Sequence, residues 1–411
     1  MRPTPTGNDR RASLVSAQYL LPFILITSLF FMWGGARAIL DVLNKHFQLT
    51  FGVTKAHSAL MQSAIYGAYF LMAIPAGMFI RRWGTRKGVV TGLVTFGIGS
   101  LLFIPTSYAL SFELFLLPLF VIGCGLVMLE TAANPYVALL GDPRTSAGRL
   151  NLAQSFNGLG CIMGVLLGGF FFLHDDVASS SGTEIALPYT YIGIIVLAVA
   201  LCFTRVRLPE VGQSRADDGV ATKRPFERLF FVGLAALVAY EIAEISINTF
   251  FINYMSDDGF LTPKEASTVL SIAGLGLFMA GRVAGSLIMR RIPAATMLLL
   301  CSIGAIATML LTIMPLGAVS KCALVACYVF ESIMFPTIFA MSLSHSGGNT
   351  ERASSILMLS VVGGAIGPVT MGWVGDTFSN AAAFVVPLIG FVVVLVFARL
   401  SQRHRTSTTA V

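Results

Sequence analysis

The stretch FELFLLPLFVIGCGLVMLETAANPYVALL, residues 112–140, decides what kind of protein this is. After Glu113 its only charged side chain is Glu130. A run of about 20 apolar residues is enough to cross the hydrocarbon of a bilayer as a helix. Glu130 then falls within the span, where an acid facing lipid costs roughly 2.5–3.5 kcal/mol. Asp41, Glu241, Glu244 and Glu331 lie in runs of the same kind. Left facing lipid, the five would together cost on the order of 12–18 kcal/mol. They must face a wet interior, pair with one another or carry protons, and each option implies a path through the membrane for something polar.

The rest of the chain agrees with that reading. Of its 411 residues 55% are hydrophobic and 11% charged, with a mean hydropathy of +0.80; soluble domains carry about 25% charged residues. Apolar runs fall at 18–46, 55–80, 88–109, 112–140, 150–173, 187–204, 228–254, 264–289, 294–316, 320–344, 353–375 and 381–399. Their length fits membrane helices, whereas barrel strands would alternate over about ten residues. The expected fold is an all-α membrane protein of twelve transmembrane helices. With the N-terminus inside, nearly all Lys and Arg fall in cytoplasmic loops, and the outer ones hold only Lys45, Lys55, Lys264 and Lys321. That bias places both termini in the cytoplasm. It also accounts for the net charge of +7 without a nucleic-acid partner. Arg10 and Arg11 precede span one, but no small-residue cleavage site follows, so it reads as an uncleaved helix.

The one long polar stretch inside the chain, RVRLPEVGQSRADDGVATKRPFE at 205–227, follows span six. The expected organisation is a cytoplasmic tail at 1–17, a six-helix bundle at 18–204, a cytoplasmic linker at 205–227, a second six-helix bundle at 228–399 and a tail at 400–411. The halves repeat. Glu130 and Pro135 on span four recur as Glu331 and Pro336 on span ten. Arg149, Gly160, Gly164 and Gly169 on span five recur as Arg352, Gly363, Gly367 and Gly372 on span eleven, all displaced by 203. The same displacement carries Asp41 onto Glu244. Ala76, Gly77 and Arg82 match Ala284, Gly285 and Arg290 at a displacement of 208. Small residues allow helices to approach closely, which serves both packing and movement.

Two six-helix halves joined by a cytoplasmic loop is the plan of the major facilitator superfamily, in which the halves rock about a midplane site. More specific strings are MWG at 32–34, DVLNKHFQ at 41–48, YGAYFLMAIPAG at 66–77, LETAANPYV at 129–137, RLNLAQSFNGLG at 149–160, IMFPTIFAMSL at 333–343 and VVGGAIGP at 361–368. On these the chain resembles the fucose permease and glucose/galactose transporter family of bacterial proton-linked sugar symporters. The resemblance implies helices one, four, seven and ten around a central cavity, with Asp41 and Glu130 coupling protons and Gln154, Asn157 and Glu244 at the sugar. It implies a multi-pass protein of the bacterial inner membrane. The pattern is broken at Leu40, where the family often has Asn, at Arg37, where relatives are usually uncharged, and at Glu331, where Asn is common.

Each residue has a plainer reading beside the functional one. Asp41 is a proton carrier, or an i,i+4 partner of Arg37. Glu130, with Asn134 one turn on, binds sugar hydroxyls and links them to a proton, or is a buried structural acid. Gln154 and Asn157 share a face with Asn151; amides donate and accept, which suits hydroxyls as well as interhelical bonds. Glu244 and Asn248 share a face, and Glu331 joins them as a candidate for substrate. Trp33 could stack on a sugar ring or pack. Arg282 could neutralise a cavity acid, latch a gate or snorkel. Arg37, Arg81, Arg82 and Arg86 are gating or structural cations. The six cysteines sit in apolar runs and read as small hydrophobes. The five histidines form no ligand pattern, so no metal, cofactor or enzyme activity is expected. The expected function is proton-coupled monosaccharide symport by a monomer, with hexoses or deoxyhexoses such as glucose, galactose and fucose all open. The alternative is a proton-driven exporter of a non-sugar small molecule; a sensor that has lost transport would look much the same.

Overall fold

The computed structural model describes residues 15, 17–109, 111–140, 146–173, 183–205, 225–289, 291–347, 353 and 356–409. The expected N-terminal tail and nearly all of the linker lie outside them. Among the described residues twelve helices are long and apolar enough to cross a membrane. They are α1 Leu20–Phe51, α2 Lys55–Trp83, α3 Thr85–Ala109, α4 Phe112–Asn134, α5 Leu152–Phe172, α6 Ile185–Arg205, α7 Arg228–Ser256, α8 Pro263–Gly285, α9 Ala294–Ile313, α10 Ala318–Leu343, α11 Ile356–Thr377 and α12 Asn380–His404. Helix continues past the end of α4 to Leu139 and starts before α5 at Ser146. We call the end of the bundle where α1 and α7 terminate the distal face, and the opposite end the proximal face.

Local sequence sets the boundaries. Gly52 ends α1 at φ 61°, a left-handed conformation that glycine adopts without strain. Thr262 and Glu265 form a reciprocal capping box at the start of α8, with Pro263 in the first turn. Between Leu270 and Leu275 α8 widens into a π-helical turn.

The packing repeats between the halves. In the first, α1 lies on α5, α2 and α3 on α4, and α3 on α6. In the second, α7 lies on α11, α8 and α9 on α10, and α9 on α12. The glycines fix the first pairing of each set. A Cβ on Gly160 would stand 2.1 Å from the Phe31 carbonyl oxygen, and one on Gly164 2.4 Å from that of Gly35. On α11, a Cβ on Gly363 would meet the Val238 carbonyl oxygen at 2.6 Å, and one on Gly367 that of Ile242 at 2.7 Å. These glycines therefore bind α5 to α1 and α11 to α7 within each half.

The same contacts correct the register of α1 on α7. Residues 160 and 164 become 363 and 367, while their partners 31 and 35 become 238 and 242. The α1-to-α7 displacement is thus 207, one helical turn from the sequence-based 203. Asp41 corresponds to Asn248, and Arg37 corresponds to Glu244. The sequence comparison matched acid to acid, whereas the packing matches backbone to backbone.

Substituting Gly160 by Leu is expected to cost at least ~1–3 kcal/mol, as overpacking does. Gly276, with nothing within 4 Å of its added Cβ, should accept Ala without loss. Thermal unfolding of the two purified variants in detergent checks both; equal midpoints would refute the assignment of Gly160 to the α1–α5 contact.

Candidate functional site

The acids of α1, α4 and α7 converge on the space between the halves. Asp41 is half-buried on α1. Its Oδ1 accepts a hydrogen bond from Gln62 Nε2 of α2 at 3.1 Å. Across the halves, the Thr249 hydroxyl of α7 reaches the same oxygen at 3.5 Å. One turn along α1, Asn44 Nδ2 donates to the Thr249 carbonyl at 3.2 Å. Half-buried Glu130 accepts from the Tyr69 hydroxyl of α2 at 3.1 Å. Arg37 makes no ion pair with Asp41; its guanidinium carbon lies 5.5 Å from the centre of the Tyr66 ring, within cation–π range. Tyr66 and Tyr69 thus place one ring by the Arg37 cation and one hydroxyl on Glu130. Gln154 and Glu244 are half-buried. So is Asn134, whose buried Oδ1 has no partner among the described residues. Glu241 is buried, its Cβ 2.9 Å from where a side chain on Gly363 would begin.

Of the other four candidates, Trp33 and Glu331 are buried, and Asn157 and Asn248 are half-buried and hydrogen-bonded to neighbouring helices. Trp33 is 2% exposed and packs on Phe30 with ring centres 4.2 Å apart, so stacking on a ligand is closed to it in this conformer. Asn157 Nδ2 donates to the Phe30 carbonyl at 3.1 Å and ties α5 to α1. Asn248 accepts from the Tyr328 hydroxyl at 2.8 Å. Glu331 is wholly buried, with no partner for either carboxylate oxygen among the described residues.

Arg282 is exposed and makes no ion pair among the described residues. Its Nε donates to the Ser332 carbonyl of α10 at 3.2 Å, and its guanidinium carbon lies 4.7 Å from the Phe278 ring centre. The reason is at residue 336. In a regular helix the N–H of residue 336 would serve the carbonyl of 332, and proline has none. Helix runs to Glu331 and restarts at Met334. The Tyr240 hydroxyl takes the Glu331 carbonyl at 3.1 Å. Two side chains from α7 and α8 thereby satisfy the carbonyls freed by a break in α10, as backbone inside a membrane protein requires. Arg86 has a similar role at the proximal face: it donates to the Phe203 carbonyl at 3.2 Å and also to Thr204, at the C-terminus of α6. Arg82 stands over Trp83, and Arg81 is exposed.

The four outer lysines, noticed in the sequence only as charge bias, gather at the distal face. Lys45 of α1 binds Asp257, just past α7. Lys55 of α2 reaches the same carboxylate at 3.3 Å, and Asn380 of α12 donates to it at 2.7 Å. Burial alone would raise the Asp257 pKa, but Lys45, Asn380 and Lys55 outweigh it and hold the group below its usual value. Asp376 of α11 accepts from the backbone N–H groups of Lys55 at 3.0 Å and Ala56 at 2.9 Å, an N-terminal cap supplied by the other half. Lys264 of α8 lies over the Phe170 ring of α5. Lys321 binds Asp258 at 2.8 Å. Gly169 abuts Ser267, and Gly372 abuts Ala56. Among the described residues, the hydrogen bonds, ion pairs and glycine contacts between the first six and last six helices all lie between mid-depth and the distal face.

A sequence model of the Major Facilitator Superfamily matches residues 23–361. The chain belongs to the Major Facilitator Superfamily. It is 32% identical over 407 residues to a glucose/galactose transporter of Brucella abortus biovar 1 (strain 9-941), covering 97% of this chain and 98% of that one. It is 32% identical over 419 residues to the L-fucose-proton symporter of Escherichia coli (strain K12), covering 95% of each. The structure matches that of the fucose:proton symporter in its outward conformation with a TM-score of 0.68 at 31% identity, over 93% of this chain and 99% of the other. A bacterial homologue of the human lysosomal transporter Spinster shares the fold at 14% identity, with a TM-score of 0.76 over 94% and 98% of the two chains. Within this superfamily member, no group of three or more metal-ligating side chains occurs among the described residues.

Replacing Arg282 by Leu should leave the Ser332 carbonyl unsatisfied and destabilise the protein by about 1–3 kcal/mol. Adding Pro336→Ala should restore most of that, since residue 336 then supplies the missing N–H. Thermal midpoints of the two single variants and the double variant give the coupling; strict additivity would rule the carbonyl clamp out.

Proposed function

We propose that this superfamily member is a proton-coupled monosaccharide symporter of the bacterial inner membrane, importing a hexose or deoxyhexose by alternating access. One observation carries the reading: Asp41 is bonded at once to Gln62 of its own half and to Thr249 of the other. An acid shared across the line of separation has different surroundings when the halves part, so its proton affinity follows the conformational cycle. The printed names of relatives that align over nearly the full chain supply the substrate class.

In this reading residues 18–204 and 228–399 move as two bodies, each held together by its glycine seam. Both termini are cytoplasmic, the distal face is the outside, and the conformer described here is closed outward and open inward. Half-buried Glu130, Asn134, Gln154 and Glu244 offer the acceptors and amide donors that a polyhydroxyl ring needs. Glu130, already bonded to Tyr69, links sugar to proton. One proton moving down 100 mV supplies about 2.3 kcal/mol, which supports roughly 50-fold accumulation. The carrier works as a monomer.

In sodium-free proteoliposomes, adding the transported sugar should make the outside alkaline. Asp41→Asn should abolish uphill accumulation while sparing exchange of sugar for sugar. If Asp41→Asn concentrates sugar normally, Asp41 is not the proton carrier; acidification instead of alkalinisation would point to export.

Asp257 should act as the outer latch. Its pKa is depressed, so the charged latch contributes fully above the ordinary aspartate value and is lost only as pH falls through the lowered one. Asp257→Asn should therefore raise labelling, from the outside at neutral pH, of a cysteine replacing buried Ser267, and labelling unchanged from the parent would exclude the latch.

A further inference from the structure

Glu331 has no part in the cycle described so far. It lies in α10 where the helix breaks, it is wholly buried, and neither carboxylate oxygen has a partner among the described residues. An ionised carboxylate without a partner is not tolerated in such a place, so the group holds a proton in this conformer. An acid kept only for packing would still donate its hydroxyl to a neighbour, because an unmade buried hydrogen bond is itself costly.

The surroundings supply a way out and a counter-charge. The titratable groups that face Glu331 are Tyr240 and Glu244 of α7 and, on its own helix, Cys327 and Tyr328. Tyr240 and Glu244 lead toward the half-exposed space where Asp41 and Glu130 lie. The adjoining charge is Arg282 of α8, bonded to the carbonyl one residue along at Ser332. The carbonyls of Glu331 and Ser332 are held by side chains of α7 and α8, so the backbone there can rearrange when those helices move. Glu331 is also the repeat counterpart of Glu130, which bonds Tyr69 and is half-exposed.

We infer that Glu331 is a second proton-binding site, loaded while the cavity is open outward, still carrying its proton in the conformer described here, and emptied to the cytoplasm before the halves reopen outward, so that two protons accompany each sugar. On emptying, the carboxyl O–H breaks, the proton passes to cavity water, and the carboxylate left behind pairs with Arg282 as it leaves Ser332. This rests on the symport reading, with Asp41 carrying the other proton.

The test is the sugar gradient at which net flux stops in proteoliposomes clamped at 100 mV, inside negative, without a pH gradient. Two protons balance a gradient of about 2,500-fold and one balances about 50-fold. The wild type is expected near the first value. Glu331→Gln, or Glu331→Asn should Gln fail to fold, is expected near the second with sugar-for-sugar exchange retained. A wild-type balance of about 50-fold, or a variant that keeps about 2,500-fold, overturns the proposal. Should neither variant fold, the wild-type balance alone decides between the two values. Sugar flux without any proton movement would instead defeat the symport reading itself.

Discussion

The carbonyl oxygens of Phe31, Gly35, Val238 and Ile242 stand where any side chain at 160, 164, 363 or 367 would have to begin. This backbone-on-backbone contact is the constraint on which the rest depends. In lipid there is little hydrophobic force between helices, so close van der Waals approach and interhelical hydrogen bonds hold them together. The two glycine seams draw α5 onto α1 and α11 onto α7. They also determine which flank of α1 and of α7 is left to face the opposite half. Asp41 and Thr249 meet because both seams leave those flanks free.

Contacts across the halves combine charge with backbone packing of the kind found within them. Backbone meets glycine within each half and also across them, where Gly372 abuts Ala56. At the distal face the contacts across are charged and capped: Asp257 gathers Lys45, Lys55 and Asn380, and Asp376 closes the N-terminus of α2. A seam that admits no water can hardly open, whereas an ion pair at the water's edge exchanges its partners for solvent at small net cost.

The breaks in regular structure fall where the halves meet the cavity. α10 is interrupted at Glu331, and α8 widens into a π-helical turn from which Ser271 donates to the Ile162 carbonyl of α5 at 2.8 Å. Such irregularities cost backbone hydrogen bonds and persist where other groups replace them. Arg282 is explained on this ground. Its charge suggested a role toward an acid, but its contact is with a carbonyl that Pro336 deprives of a donor.

Twelve spans, an all-helical membrane fold and a repeat between halves were legible in the sequence, because hydropathy and run length respond directly to the bilayer. The acids of α1 and α4 were legible too, since a carboxylate in an apolar run has few places to go. Tertiary structure alone decided the register of α1 on α7, because that is set by which backbone atoms touch and not by which residue types match. It alone showed Trp33 packed on Phe30 in this conformer, since a side chain's use depends on the flank its helix turns inward. And it alone joined Lys45 and Lys55, which composition had counted only as charge, to Asp257 and Asp376 of the other half, because those acids are distant in sequence.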